Sequence, residues 1–198
     1  MMLDRMEGNA ELKTSVQQML ATRRLTHSVL LVGEAGLGTG FAARCIAADY
    51  LYPAGGAAAE ALLRGECCRA VAKAGKRDSG TVETGIVREA ISVSGMGSGG
   101  KYLVGQVTAM RSEIFNTSLS AEGRAVLLYH VERMNEESAN ALLKVMEEPP
   151  EGVLFLLTAD SPHPQPLRQL CGGTGVPCRL HPLLRGAGGG QKNSCTVQ

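Results

Sequence analysis

The chain has 198 residues, enough for one domain of ordinary size with a substantial core. Hydrophobic residues make up 44% and charged residues 20%, which excludes a disordered chain and describes a globular one. Lys and Arg number 20 against 19 Asp and Glu, and aromatics are 4% with no Trp. That balance argues against a strongly basic nucleic-acid-binding surface, a local patch aside, and against extensive base-stacking platforms.

The N-terminus, "MMLDRMEGNAELK", carries charges where a signal peptide needs an apolar stretch, and no apolar run reaches the length of a membrane span. The cytoplasm is the expected compartment. There the six cysteines, Cys45, Cys67, Cys68, Cys171, Cys178 and Cys195, are expected as free thiols or metal ligands instead of disulfides.

In chain order, Asn9 to Thr22 reads as an amphipathic helix with Leu12, Val16 and Leu20 on one face. The apolar run Val29–Val32 predicts a strand, followed by a turn rich in glycine (Gly33, Gly36, Gly38, Gly40) and a helix from about Phe41 to Pro53. "PAGGAAAEALLRGE" predicts a short helix in a loose connection, "CCRAVAKAG" another short helix, and "VSGMGSGGK" a flexible loop. "YLVGQVTAMRSEIF" has helical register through Val104, Val107, Met110 and Ile114. "RAVLLYHV" and "GVLFLLTA" predict buried strands, and "CRLHPL" a short fourth strand. Strands alternating with helices predict an α/β layer structure with a parallel sheet. The tail 185–198 is glycine-rich and polar, and is expected to be disordered.

The clearest helix is Glu136–Glu148. Asn135 is placed to cap it, Glu136 and Glu137 lie at the positive end of its dipole, and Pro149 and Pro150 stop it. Ala139, Leu142, Leu143 and Met146 form its apolar stripe. Glu147 and Glu148 sit at the negative end of the dipole, either as solvated glutamates or as a contact with a partner.

Strand, glycine turn and helix at Leu30–Ala47 have the order of a phosphate-binding loop. With the pattern G-x-x-x-x-G-K-[ST] laid on Gly33 and Gly38, Thr39 stands where the lysine belongs and Gly40 where the magnesium-binding hydroxyl belongs. From the residues alone the stretch reads as a working nucleotide site, a relic of one, or an ordinary strand-to-helix turn.

The block "MN" (Met134–Asn135), "ANALLK" (Ala139–Lys144) and "EEPP" (Glu147–Pro150), then an apolar strand ending in Thr158, resembles the AAA+ module of bacterial clamp-loader subunits. These are the delta-prime and gamma/tau subunits of the DNA polymerase III holoenzyme, a nucleotidyltransferase assembly. The resemblance runs from about Gly8 to Leu183 and implies a phosphate-loop NTPase fold: a three-layer sandwich with a mainly parallel sheet. It makes residues 1–184 one module, after which the small helical lid and collar of the family are not expected in this chain.

What the family pattern implies about sites is altered at several positions. His130 stands where the family has its metal-associated Walker B aspartate, and a carboxylate follows only at Glu132. Neutral imidazole is a poor magnesium ligand. Thr158 stands at the place of the family's γ-phosphate sensor. Of the family's four-cysteine zinc insert only Cys67 and Cys68 remain, so zinc is not expected. The family's Ser-Arg-Cys triplet, whose arginine serves a neighbour's site, reads Val176-Pro177-Cys178, with Arg168 and Arg179 as displaced candidates.

The resemblance therefore implies a non-hydrolysing, delta-prime-like stator without a bound cofactor, ATP and magnesium being held weakly or not at all. Its partners would be gamma/tau-type and delta-type subunits, met through Asn140, Lys144, Glu147, Glu148 and Arg179, with DNA engaged indirectly. The first alternative is a gamma/tau-like ATPase with Lys13, Arg44 or Lys101 supplying the missing cation. The second is a nucleic-acid-binding module reading single strands through "GKYLVGQ".

Overall fold

The computed structural model describes residues 1–22, 25, 27–76, 78–116 and 123–160, and the backbone of 178–182. Helix α1 (Ala10–Ala21) begins at Asn9, whose side chain accepts the Leu12 N–H, and it buries Leu12, Val16 and Met19 while Leu20 is partly buried. Strand β1 (Ser28–Val32) feeds the glycine turn and α2 (Thr39–Leu51), then α3 (Ala57–Leu63). Three strands follow, β2 (Cys67–Ala72), β3 (Gly80–Glu83) and β4 (Val87–Val93). Then come α4 (Val104–Asn116), β5 (Arg124–Leu128), α5 (Glu136–Glu147), β6 (Val153–Ala159) and β7 (Cys178–Pro182).

The strands form one seven-stranded sheet in the order β3-β2-β4-β5-β6-β1-β7. Every neighbouring pair is parallel except β2 with β3. Strands β1, β5 and β6 are buried at every residue, as a parallel sheet covered on both faces requires. Side chains alternate between the two faces. Val29, Leu31, Ala125, Leu127, Leu154 and Leu156 pack with α1, α2 and α3. Leu30, Val32, Val126, Leu128, Phe155 and Leu157 pack with α4 and α5. Helix, sheet and helix are thus the three layers that the motif resemblance implied.

One expected element is corrected. "CCRAVAKAG" is not a helix: Cys67–Ala72 is strand β2, paired with β3 and β4. Ala, Lys and Arg favour helix locally, but pairing on both sides satisfies the backbone of Cys67–Ala72, and tertiary context overrides so weak a propensity. Strands β3 and β4 went unread for a related reason. The edge strand β3 is four residues long and only half buried, and β4 carries Arg88 and Glu89 in its apolar run.

Two buried side chains of the segment before β5 bolt the carboxyl ends of the strands together. The Tyr102 hydroxyl lies between the carbonyls of Val93 and Tyr129, at 3.0 and 2.5 Å. The Gln106 amide donates to the carbonyls of Ala70 and Ser94 at 3.1 and 2.7 Å. Tyr102 is 1% exposed and Gln106 is fully buried, so "GKYLVGQ" offers no aromatic face to a nucleic acid base, contrary to what that reading needs.

Candidate functional site

Open parallel sheets place ligands at the carboxyl ends of their strands, and the family-like residues gather on that edge. β1 ends at Val32, in register with Ala159 of β6, and the Gly33 N–H donates to the Ala159 carbonyl at 3.1 Å. The turn closes through the Leu37 N–H on the Glu34 carbonyl at 3.1 Å, with Gly36 and Gly38 at φ +89° and +82°. Those left-handed angles are why glycine stands there. α2 starts at Thr39, which is 8% exposed. The turn thus leads into the positive end of the α2 dipole.

Its side-chain chemistry departs from the phosphate-loop pattern. Glu34 is the only ionisable residue of 33–40, and Thr39, at the place of the pattern's lysine, carries no charge. A side chain added at Gly40 would meet the Tyr129 ring, whose Cε1 lies 3.3 Å from the Cβ position. Arg44, one turn into α2, is occupied: its Nε donates to the Leu63 carbonyl at 2.8 Å, its guanidinium stacks over Phe41 at 5.8 Å, and it hydrogen-bonds Tyr129. Burial pushes the Tyr129 hydroxyl above the usual phenol range, so it is a neutral partner there.

The second half of the edge is the turn after β5. His130 takes the left-handed conformation, φ 55° and ψ 54°, and its N–H donates to the Thr158 hydroxyl at 3.1 Å. Thr158 is 2% exposed and so ties β6 to this turn. The His130 Nδ1 lies 3.4 Å from a Glu132 oxygen and 3.2 Å from an Asp160 oxygen. The other Glu132 oxygen accepts the Asp160 N–H at 3.4 Å, and the Arg133 Nε is 3.7 Å from the first. Asp160 was absent from the sequence reading. The signal for it is register: Leu128 pairs with Leu157, which brings the residues just beyond both strands level.

Helix α5 is built as its sequence dictates. The Asn135 side chain accepts the Ser138 N–H at 2.8 Å, and Ala139, Leu142, Leu143, Val145 and Met146 are buried. Asn140, Lys144, Glu147 and Glu148 are exposed, and the first three follow a spacing that puts them on one face. The backbone of Arg179 pairs with Val29 in the β1–β7 ladder. Arg168, Val176, Pro177, Cys171, Cys195 and the tail 185–198 lie outside the described residues.

The adjacent thiols Cys67 and Cys68 belong to opposite faces of the sheet, one in each core, and cannot reach a common ion. Burial raises the Cys67 thiol, and it pushes Cys45, on α2, up to about 12. Both are therefore neutral, unreactive core residues near neutral pH. Among the described residues no helix is long and apolar enough to cross a membrane.

Comparison with known proteins agrees with this architecture. A family model described as DNA polymerase III, delta subunit, matches residues 8–165. The chain is 27% identical over 139 residues to the DNA polymerase III subunit delta' of Bacillus subtilis, covering 70% of this chain and 38% of that protein. It is 25% identical over 150 residues to the DNA polymerase III subunit gamma of Buchnera aphidicola (Acyrthosiphon pisum), covering 76% and 37%. Against the subunit delta' of Buchnera aphidicola (Baizongia pistaciae) it is 33% identical over 60 residues, covering 30% and 18%. The chain thus spans well under half the length of the curated relatives it matches. A DNA polymerase III gamma subunit-related protein of Thermotoga maritima superposes with TM-score 0.48 at 14% identity, over 84% of this chain and 45% of that one. With the family model matching most of its length, the chain belongs to the DNA polymerase III, delta subunit, family.

Proposed function

We propose that this chain is a delta-prime-like subunit of a DNA polymerase III clamp loader, a non-hydrolysing stator supporting clamp loading in the cytoplasm. The observation that carries the non-hydrolysing part is the Tyr129 ring against Gly40, 3.3 Å from the position of a Cβ. A side chain there, with the hydroxyl that would hold magnesium, requires the ring to give by a few tenths of an ångström. Thr39 carries no charge where a polyphosphate needs a cation. A loop of this shape still offers backbone N–H groups, but lysine and metal ligand supply the specific grip. The degenerate site is accordingly Gly33, Gly36, Gly38, Thr39 and Gly40, with His130 and Glu132 beside it and Thr158 tied to His130 instead of a phosphate. Neither Mg-ATP nor a four-cysteine zinc ion is a cofactor under this reading.

The partner surface is the exposed face of α5, Asn140, Lys144 and Glu147 with Glu148, and Arg179 on the edge strand. Its partners are gamma/tau-type and delta-type subunits, and DNA is met through the assembly. A rigid, inactive neighbour contributes by fixing the geometry of an adjacent active site. Isothermal titration with Mg-ATP gives no measurable heat for this chain if the reading holds, and micromolar binding overturns it. Co-purification with a gamma/tau-type subunit tests the stator role, which fails if the two do not associate with or without Mg-ATP.

The alternative is a gamma/tau-like ATPase, supported by the longer match to a subunit gamma. Steady-state phosphate release, alone and with DNA, separates the two: turnover belongs to the gamma-like reading alone. Restoring the loop with Thr39→Lys, Gly40→Thr and Tyr129→Ala together should bring Mg-ATP binding into the measurable range.

A further inference from the structure

We propose that His130, Glu132 and Asp160 form a binding site for a single divalent transition-metal ion, with zinc the best-matched candidate. One nitrogen and two carboxylate oxygens from these residues all lie within 4.8 Å of one another. A tetrahedral ion with bonds of about 2.0–2.1 Å separates its ligand atoms by about 3.3 Å. The two nitrogen–oxygen separations here are 3.2 and 3.4 Å. Two of the three ligand separations thus match a tetrahedral ion, and the third, between the carboxylate oxygens, is within 4.8 Å.

Two independent features support a ligand over a plain ion pair. The Nδ1 atom of His130 is buried and makes no hydrogen bond, although both carboxylates lie within ion-pair distance. A buried nitrogen left without a hydrogen bond between two carboxylates is a position that a bound cation would satisfy. The left-handed backbone of His130 is a second expense in the fold, since a non-glycine residue adopts it at some cost. The Thr158 hydroxyl holds His130 in that conformation through the main-chain N–H. The imidazole is thus aimed from the end of β5 toward the carboxylate at the end of β6.

The charge also fits. Two carboxylates with Arg133 beside them sum to one negative charge, which a divalent ion over-compensates by one. Imidazole with carboxylate suits zinc, cobalt, nickel or iron, while magnesium prefers six oxygens and keeps its waters. Three protein ligands leave a fourth position for water, and the side chains are 42%, 19% and 25% exposed, open enough for an ion to enter. The bound ion would clamp the β5 turn to the end of β6. This inference does not depend on the clamp-loader reading, since it uses neither nucleotide nor partner.

The test is titration of the metal-stripped full chain with zinc by calorimetry and with cobalt by visible absorption. One equivalent is expected, with the intense ligand-field bands of tetrahedral cobalt, no thiolate charge-transfer band, and no displacement by millimolar magnesium. His130→Asn should weaken zinc at least about tenfold, the loss seen for removing even the outer partners of metal ligands. Asparagine tolerates the left-handed conformation, so this variant keeps the turn. Glu132→Gln should weaken zinc likewise, while Cys67→Ser with Cys68→Ser should leave it unchanged. Zinc should also raise the melting temperature of the parent chain but not of His130→Asn. No binding, equal binding by His130→Asn, or loss in the double cysteine variant would each overturn the assignment.

Discussion

Two turns share the carboxyl edge of the sheet, and they have diverged in opposite ways. The turn after β1 keeps its backbone form, with glycines at positive φ leading into α2, but its side chains carry a carboxylate and no fixed cation. The turn after β5 holds His130 in the left-handed conformation and brings His130 and Glu132 together with Asp160. Backbone shape is held by hydrogen bonds that many sequences can make, whereas side-chain chemistry changes with single substitutions.

Both turns rest on β6, so the largest expected loss comes from its core. Phe155 is fully buried, and Phe155→Ala should cost about 3–5 kcal/mol in denaturant-measured stability. A loss below about 1 kcal/mol would mean that β6 is not the shared support. Thr158 acts only on the second turn. Thr158→Val leaves the His130 N–H without its acceptor and should cost about 1–3 kcal/mol, with Thr158→Ser retaining most of the stability. If valine and serine behave alike, the hydroxyl does not hold His130.

The first turn is backed by the dry interior of α2, and pH reads that dryness. Cys45 has its thiol raised from 9.0 to about 12 by burial, so the folded state holds its proton where the unfolded state has released it. Its contribution is complete below about pH 9 and is lost as pH rises toward about 12. Stability measured by urea melts should fall as pH rises across that window for the parent chain, and fall less for Cys45→Ala. The smallest effect belongs to Gly40→Ala. A gain in helix propensity of about 0.5–1 kcal/mol opposes the contact with Tyr129 at 3.3 Å, and the net change should stay within about 1 kcal/mol. A larger loss would show that Tyr129 is fixed, strengthening its case as the group that fills the loop.

The long, strongly periodic elements were legible in the sequence. Helix α5 could be read from Asn135 at its start to Pro149 at its end, because cap, stripe and stop all lie within one local stretch. Strands β1, β5 and β6 were legible as apolar runs, since burial on both faces leaves no alternation to hide them. Strand β2 was misread because Cys67–Ala72 is built from residues with little intrinsic preference for strand. In the turn after β1, Gly36, Gly38 and Thr39 could be singled out by their spacing along the chain. Asp160 was missed because its contacts run across the sheet, its N–H donating to Glu132, 28 residues away along the chain.

By itself the sequence determined the layered α/β architecture, which depends on order and local periodicity, and its motifs carried the resemblance to the family. Tertiary structure alone decided which atoms meet: Tyr129 over Gly40, Thr158 under His130, and Asp160 beside Glu132. Strand register sets those meetings, and register is fixed by pairing and packing across the sheet, which no single stretch of chain encodes.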